Sequence, residues 1–145
     1  MLGDSGDVLF FGGSSAEMFD DAWILSRSNE RAWEWNEVAV SGEMPQARVG
    51  AVCFPVGTRG MCVFGGAEAT PTGLNLLDDL WHLEFEKSGA EYKGVWTRIE
   101  PDGDRPPPRN AACLTKIDDS KFLLCSGWGL FVESYDDVRE IVVKK

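Results

Sequence analysis

Paired carboxylates are the residues of this chain whose types could do the most chemistry, because two neighbouring acids can pass a proton or hold a divalent cation. Asp20-Asp21, Asp78-Asp79 and Asp136-Asp137 are such pairs, and they follow one another at intervals of 58 residues. A catalytic couple is needed once, whereas a turn or strand-opening device is needed in every repeat, so the regular recurrence points to a structural duty. One carboxylate of each pair is expected to cap backbone N–H groups where a strand begins.

The other reactive side chains are no better arranged for chemistry. Cys53, Cys62, Cys113 and Cys125 contain no Cys-x-x-Cys knuckle, so buried free thiols are favoured over a four-thiolate zinc site. Cys53 and Cys62 should lie roughly opposite each other on a hairpin turning near residues 56–59, with Cys113 and Cys125 on a comparable one. His82 is the one histidine, which supports neither a two-histidine metal site nor a triad. Gly12, Gly13, Gly65, Gly66 and Gly127 belong to no GxGxxG or Walker pattern, and they read as strand-ending turns rather than phosphate cradles. No metal, cofactor or catalytic residue is expected.

Composition narrows the partners. The 145 residues are 43% hydrophobic, enough for a core, and carry a formal net charge of −10 spread along the chain. Such a field repels phosphate backbones and anionic lipid heads, so neither nucleic acid nor membrane is an expected partner. No apolar run is long enough to span a bilayer and the first residues do not read as a signal peptide, which leads to a cytoplasmic expectation.

The elements that position these residues repeat as well. Trp35 and Trp96 are 61 residues apart, as are Pro45-x-x-Arg48 and Pro106-x-x-Arg109. Periods near this length mark propellers and arrays. Within each period the runs "AVCF", "MCVFGG", "LWHLEF" and "FLLCSG" are short, apolar and bounded by Gly, Pro and Asp, which reads as β rather than helix. Hairpins are expected over 49–66 and 110–127. Strands apolar on both faces suit sheets covered on either side, with Trp23, Trp35, Trp81 and Trp96 filling the wedges between neighbours.

An apolar strand, Gly-Gly, Asp-Asp-x-Trp-x-Leu, a further Trp and then Pro-x-x-Arg, in that order, resembles the kelch repeat over nearly the whole chain. The resemblance implies an all-β, kelch-type β-propeller segment of four-stranded antiparallel blades, one complete and two incomplete. Residues 1–41 then form a partial blade with strands 2–4, residues 42–100 a complete blade, and residues 101–145 a partial blade with strands 1–3. Gly12, Gly13, Asp21, Trp23, Trp35, Arg48, Gly65, Gly66, Asp79, Trp81, Trp96, Arg109, Gly127 and Asp137 become structural repeat positions. Arg48 and Arg109 are expected to bond a carboxylate or carbonyls. The third copy departs from the pattern with Ser126-Gly127 for the glycine pair and Arg139 for the tryptophan. Kelch-like propellers include the copper enzyme galactose oxidase, but one histidine cannot supply that centre.

About ten strands cannot close a ring of at least four blades. The isolated chain is therefore expected to self-associate or to be a fragment of a longer propeller. The inserts after the glycines vary in length, and variable loops on a rigid repeat are where recognition sits. Glu68, Arg105, Trp128, Phe131 and Glu133 are the candidate contacts for a protein partner, and a protein–protein interaction scaffold is the expected function. The alternatives are part of a kelch-like enzyme whose catalytic residues lie outside this chain, or a purely architectural segment.

Overall fold

A computed structural model describes residues 6–29, 32–130 and 133–144. Twelve strands and no α-helix occur among them. The first three, β1 (Val8–Ser14), β2 (Met18–Asn29) and β3 (Ala32–Ser41), form an antiparallel meander. The next unit comprises β4 (Val52–Val56), β5 (Gly60–Phe64), a small hairpin β6 (Ala67–Thr70) and β7 (Gly73–Leu76), then β8 (Leu80–Ser88) and β9 (Glu91–Ile99). Here β4, β5, β8 and β9 pair antiparallel in that order. The last unit is the antiparallel set β10 (Cys113–Lys116), β11 (Lys121–Cys125) and β12 (Val138–Val142).

The antiparallel sets of the three units, hereafter the first, second and third sheets, stack, and β5 shows why its sequence is apolar at every position. Gly60–Phe64 is buried along its whole length. Successive side chains leave a strand on opposite faces, so Met61 and Val63 join Ala22, Ile24, Val38 and Leu83 between the first two sheets. Cys62 and Phe64 face the third sheet, where Phe54 meets Phe122 with ring centroids 4.9 Å apart. A Leu83→Ala change at this fully buried position would cost about 2–5 kcal/mol through lost transfer energy and a cavity.

Three features depart from the sequence expectation. Residues Val38–Ser41 run parallel to Tyr92–Val95, which joins the first two units into one seven-stranded sheet. Pairing of β3 with β2 ends at Glu37, so the last residues of β3 have free backbone groups, and Gly94 lets them approach: a Cβ there would stand 3.0 Å from Val38 Cγ1. The insert after Gly66 is not an open loop but the β6–β7 hairpin, its turn held by Thr70 Oγ1 donating to the Gly73 carbonyl. Of the four thiols only Cys62 is buried, while Cys53 and Cys113 are exposed. Both exposed thiols lie on the first strand of their sheets, β4 and β10, which end the strand order and have a neighbour on one side only.

Tryptophan burial differs in the same way. Trp81 and Trp96 are 4% and 3% exposed in the core between the first two sheets, but Trp35 is 57% exposed and stacks beside Phe10 on the far face of the first sheet. The expected wedge exists only where a second sheet covers the indole. No helix among the described residues is long and apolar enough to cross a membrane.

Candidate functional site

The arginines of the two Pro-x-x-Arg elements hold adjoining sheets together. The Arg48 backbone carbonyl accepts from Gly13 N–H and its own N–H donates to the Phe19 carbonyl, both in the first unit. Its side chain reaches into the second unit, donating to the Gly65 carbonyl and, through Nη1 and Nη2, to both oxygens of Asp79 at 2.6 and 2.9 Å. Arg109 repeats the arrangement one unit later. Its backbone bonds Gly66 and Leu77, and its guanidinium donates to the Ser126 carbonyl and to Asp137 at 2.7 and 2.9 Å. Both arginines are 1% exposed, and a planar fork matched to a carboxylate is the geometry that justifies burying such a charge.

The second aspartate of each pair thus accepts from side chains, which corrects the expectation of backbone capping. Asp79 also receives Trp81 Nε1, and Asp137 receives Arg139 Nε where the third copy lacks the indole. Burial works against ionisation of Asp79, but the Arg48 and Trp81 hydrogen bonds outweigh it and the carboxyl lies below its ordinary range. Hydrogen bonds from Arg109 and then Arg139 hold Asp137 far below that range.

The glycines serve this joint. Gly12 and Gly65 have φ of +67° and +66°, and a Cβ on either would come within 2.7 Å of the Arg48 carbonyl oxygen or 2.8 Å of the Arg109 one. Ser126 takes the same left-handed backbone, with φ 59°, at a position where no third Pro-x-x-Arg segment occurs in residues 1–145.

These joints line up the inserts on one face. Arg48 bonds Phe19, Val49 bridges Ala67, Leu77 bonds Arg109, and Asn110 bridges Trp128, which in turn bridges Ser134. Five segments, the three inserts and the two inter-sheet connections, therefore run side by side through main-chain hydrogen bonds. Glu68 lies on β6 and accepts from Asn75 Nδ2 at 2.7 Å. Arg105 is ion-paired with Glu100, Trp128 is 51% exposed, and Glu133 is exposed with its carbonyl held by Gly129 N–H. Phe131 lies outside the described residues. Among the described residues, Glu68, Arg105, Trp128 and Glu133 thus lie on segments that neighbour one another in this row, and no hydrogen bond or ion pair links one of the four to another.

A groove of about 420 Å³ opens between the β6–β7 hairpin and the first inter-sheet connection, lined by Glu43, Gln46, Glu68, Asn75, Asp78 and Arg98 among others. Sequence reasoning found Glu68 but missed Glu43 and Gln46, which precede the repeated Pro-x-x-Arg arginine. Their only signal was proximity to that element. The groove offers hydrogen bonds and carboxylates to a polar or cationic side chain. Among the described residues no group of three or more His, Cys, Asp or Glu side chains is placed to hold a metal ion.

His82 sits elsewhere, on β8 between Cys62 and Thr97. Its Nε2 is buried without a partner among the described residues and faces Gly60, where a Cβ would come within 2.5 Å. Burial lowers the imidazole pKa, with Glu84 pulling the other way.

Comparison with known proteins agrees with this geometry. The chain is 34% identical over 115 residues to serine/threonine-protein phosphatase BSL2 of Arabidopsis thaliana, covering 79% of this chain and 10% of that protein. It is 30% identical over 125 residues to leucine-zipper-like transcriptional regulator 1 of Pongo abelii, covering 82% and 13%. It is also 30% identical over 128 residues to tRNA wybutosine-synthesizing protein 4 of Aspergillus fumigatus, covering 86% and 11%. The chain thus spans about a tenth of the length of these relatives. Residues 1–144 match the KLHDC2/KLHL20/DRC7 kelch-repeats domain, and with stacked antiparallel sheets joined by its repeated arginines, the chain belongs to the kelch-repeat family.

Proposed function

We propose that this chain is a protein-recognition module that engages its partner through the insert face. The observation that carries the reading is the row of five main-chain-bonded segments, because it holds inserts of unequal length in fixed order over a rigid stack. Glu68 with the groove beside it provides polar contacts, and Trp128 provides an exposed indole of the kind that anchors interfaces. Arg105 and Glu133 flank them, with Phe131 as a further apolar contact. The blade division at residues 41/42 and 100/101 puts one insert in each repeat. Four free thiols suit a reducing compartment such as the cytoplasm.

Some relatives carry enzymes' names, but the matched region is about a tenth of each. In our reading any such activity belongs to other parts of those proteins, and the present chain contributes binding alone.

Site-specific photo-crosslinking tests the proposal. A benzophenone side chain at position 128 or 68 should crosslink a discrete protein in cells, whereas one at Lys87 or Thr115, away from the inserts, should not. Equal labelling from all four positions would overturn the reading.

A further inference from the structure

The two hairpins that carry the cysteines differ by one residue of register. In the second sheet Cys53 pairs with Val63 and Cys62 with Phe54. Residues directly across a ladder share a face while neighbours along a strand alternate, so these two thiols leave on opposite faces. In the third sheet Cys113 pairs directly with Cys125, and both thiols leave on one face. That face is turned away from the second sheet, which Phe122 and Leu124 meet. The equivalent pair one repeat earlier, 113−52 = 125−64 = 61 residues back, is Val52 with Phe64, packed against Leu124. The third unit has a thiol at both positions.

Hydrogen bonding sets how far apart the two backbones stand. Ser126 N–H donates to the Asp137 carbonyl on the β12 side, and Ile117 N–H donates to the Lys121 carbonyl across the turn between β10 and β11. Peptide groups alternate sides along a strand, so Cys125 turns its own toward β10 and forms a hydrogen-bonded pair with Cys113, in which Cα atoms are about 5.5 Å apart. A disulfide spans Cα separations of roughly 4.4–6.8 Å. The Cβ atoms of opposed residues are about 4.5–5.5 Å apart, against roughly 3.5–4.5 Å in a disulfide, so closure draws the strands together and leaves a bond that is readily reduced. Cys113 is exposed and Cys125 half-buried, which admits a small reagent. Burial pushes the Cys62 thiol up to about 12, leaving it little thiolate to compete at neutral pH.

We propose that Cys113 and Cys125 are a redox-modifiable dithiol, closed to a cross-strand disulfide by exchange with a small-molecule disulfide. The Cys113 thiolate attacks one sulfur of the reagent, breaking its S–S bond and releasing one thiolate. The Cys125 thiolate then attacks Cys113 Sγ, forming the Cys113–Cys125 bond and releasing the second. The chain loses two electrons, the reagent is reduced to two thiols, and the two protons given up by the cysteines end on those thiols. The bond fastens β10, which has a neighbour on one side only, to β11. It also stands on the two segments that lead to Asn110 and Trp128, whose mutual main-chain hydrogen bonds hold that part of the insert face. The proposal concerns thiol chemistry and stands independently of the function proposed above.

The probe is glutathione. The reduced 145-residue chain is equilibrated with mixtures of its oxidised and reduced forms, quenched with iodoacetamide, and the monomer band of a non-reducing gel is digested with trypsin for mass spectrometry. Cleavage after Lys116 and Lys121 separates the two cysteines, so only a disulfide can hold residues 110–116 and 122–139 together. The expected product is that linked pair, lost again in excess reduced glutathione, with Cys53 and Cys62 found alkylated. Cys125→Ser should instead keep glutathione on Cys113, with about tenfold or more mixed disulfide than the parent chain retains. The unaltered chain decides the matter if that variant fails to fold. Glutathione adducts on the parent chain without the linked peptides, linkage found only between chains, or equal linkage of Cys53 with Cys62 would overturn the proposal.

Discussion

Arg48 and Asp79 are 31 residues apart in sequence and share two parallel hydrogen bonds of 2.6 and 2.9 Å, while the Arg48 backbone belongs to the hydrogen-bond row of the preceding sheet. One residue therefore ties two units at once. Removing its side chain strands the Asp79 carboxylate and the Gly65 carbonyl. Arg48→Ala should cost about 3–5 kcal/mol in urea unfolding, and Arg48→Lys should recover only part because an ammonium cannot fork. A loss under about 1 kcal/mol would contradict the joint.

Acid should open the joints from the carboxylate side. The folded-state pKa values of Asp79 and Asp137 lie below their ordinary value, so their contribution is fully present above about pH 4 and is lost as pH falls through the folded values. Asp137→Asn should flatten the decline of melting temperature below pH 4 relative to the parent chain.

His82 gives a second, separate window. Its imidazole is depressed by burial, so the neutral form belongs to the fold and protonation favours unfolding. The stabilisation it supports is present above about pH 6.5 and fades as pH falls below that value. Between pH 7 and pH 5 the parent should lose more melting temperature than His82→Gln, measured by calorimetry.

The glycine positions should respond in opposite directions. Ser126 holds a left-handed φ of 59° that costs a serine roughly 1 kcal/mol relative to glycine, so Ser126→Gly should stabilise by up to about that amount. Gly66→Val should destabilise strongly, because φ is +93° and a Cβ would meet the Val49 carbonyl oxygen at 2.8 Å. Thermal melts of the two variants check both signs.

Exposed faces at both ends of the stack should make the isolated chain associate. Phe10 and Trp35 are exposed on the first sheet, and Val138 and Val142, 63% and 50% exposed, on the last. Light scattering coupled to size exclusion should show mass rising with concentration above 16.0 kDa, and Trp35→Lys should reduce it. A constant monomer mass would contradict this expectation.

Local pattern was enough to read the strands and their repeat. The runs around Cys53 and Cys62 needed only their apolar residues, a polar turn and a glycine to place a hairpin, observed as Val52–Val56 against Gly60–Phe64, because strand propensity and turn chemistry act over a few residues. The recurrence of Asp-Asp and Pro-x-x-Arg was likewise written in one dimension. What those residues bond was not. The pairing of Arg48 with Asp79 and of Arg109 with Asp137 depends on segments 31 and 28 residues away meeting between stacked sheets, and single-chain spacing does not say which carboxylate a guanidinium will face. Trp35 and Trp96 occupy equivalent repeat positions yet are 57% and 3% exposed. Their sequence surroundings are alike, and only the presence of a neighbouring sheet decides which indole leaves water, because burial belongs to the space between elements and not to the residue itself.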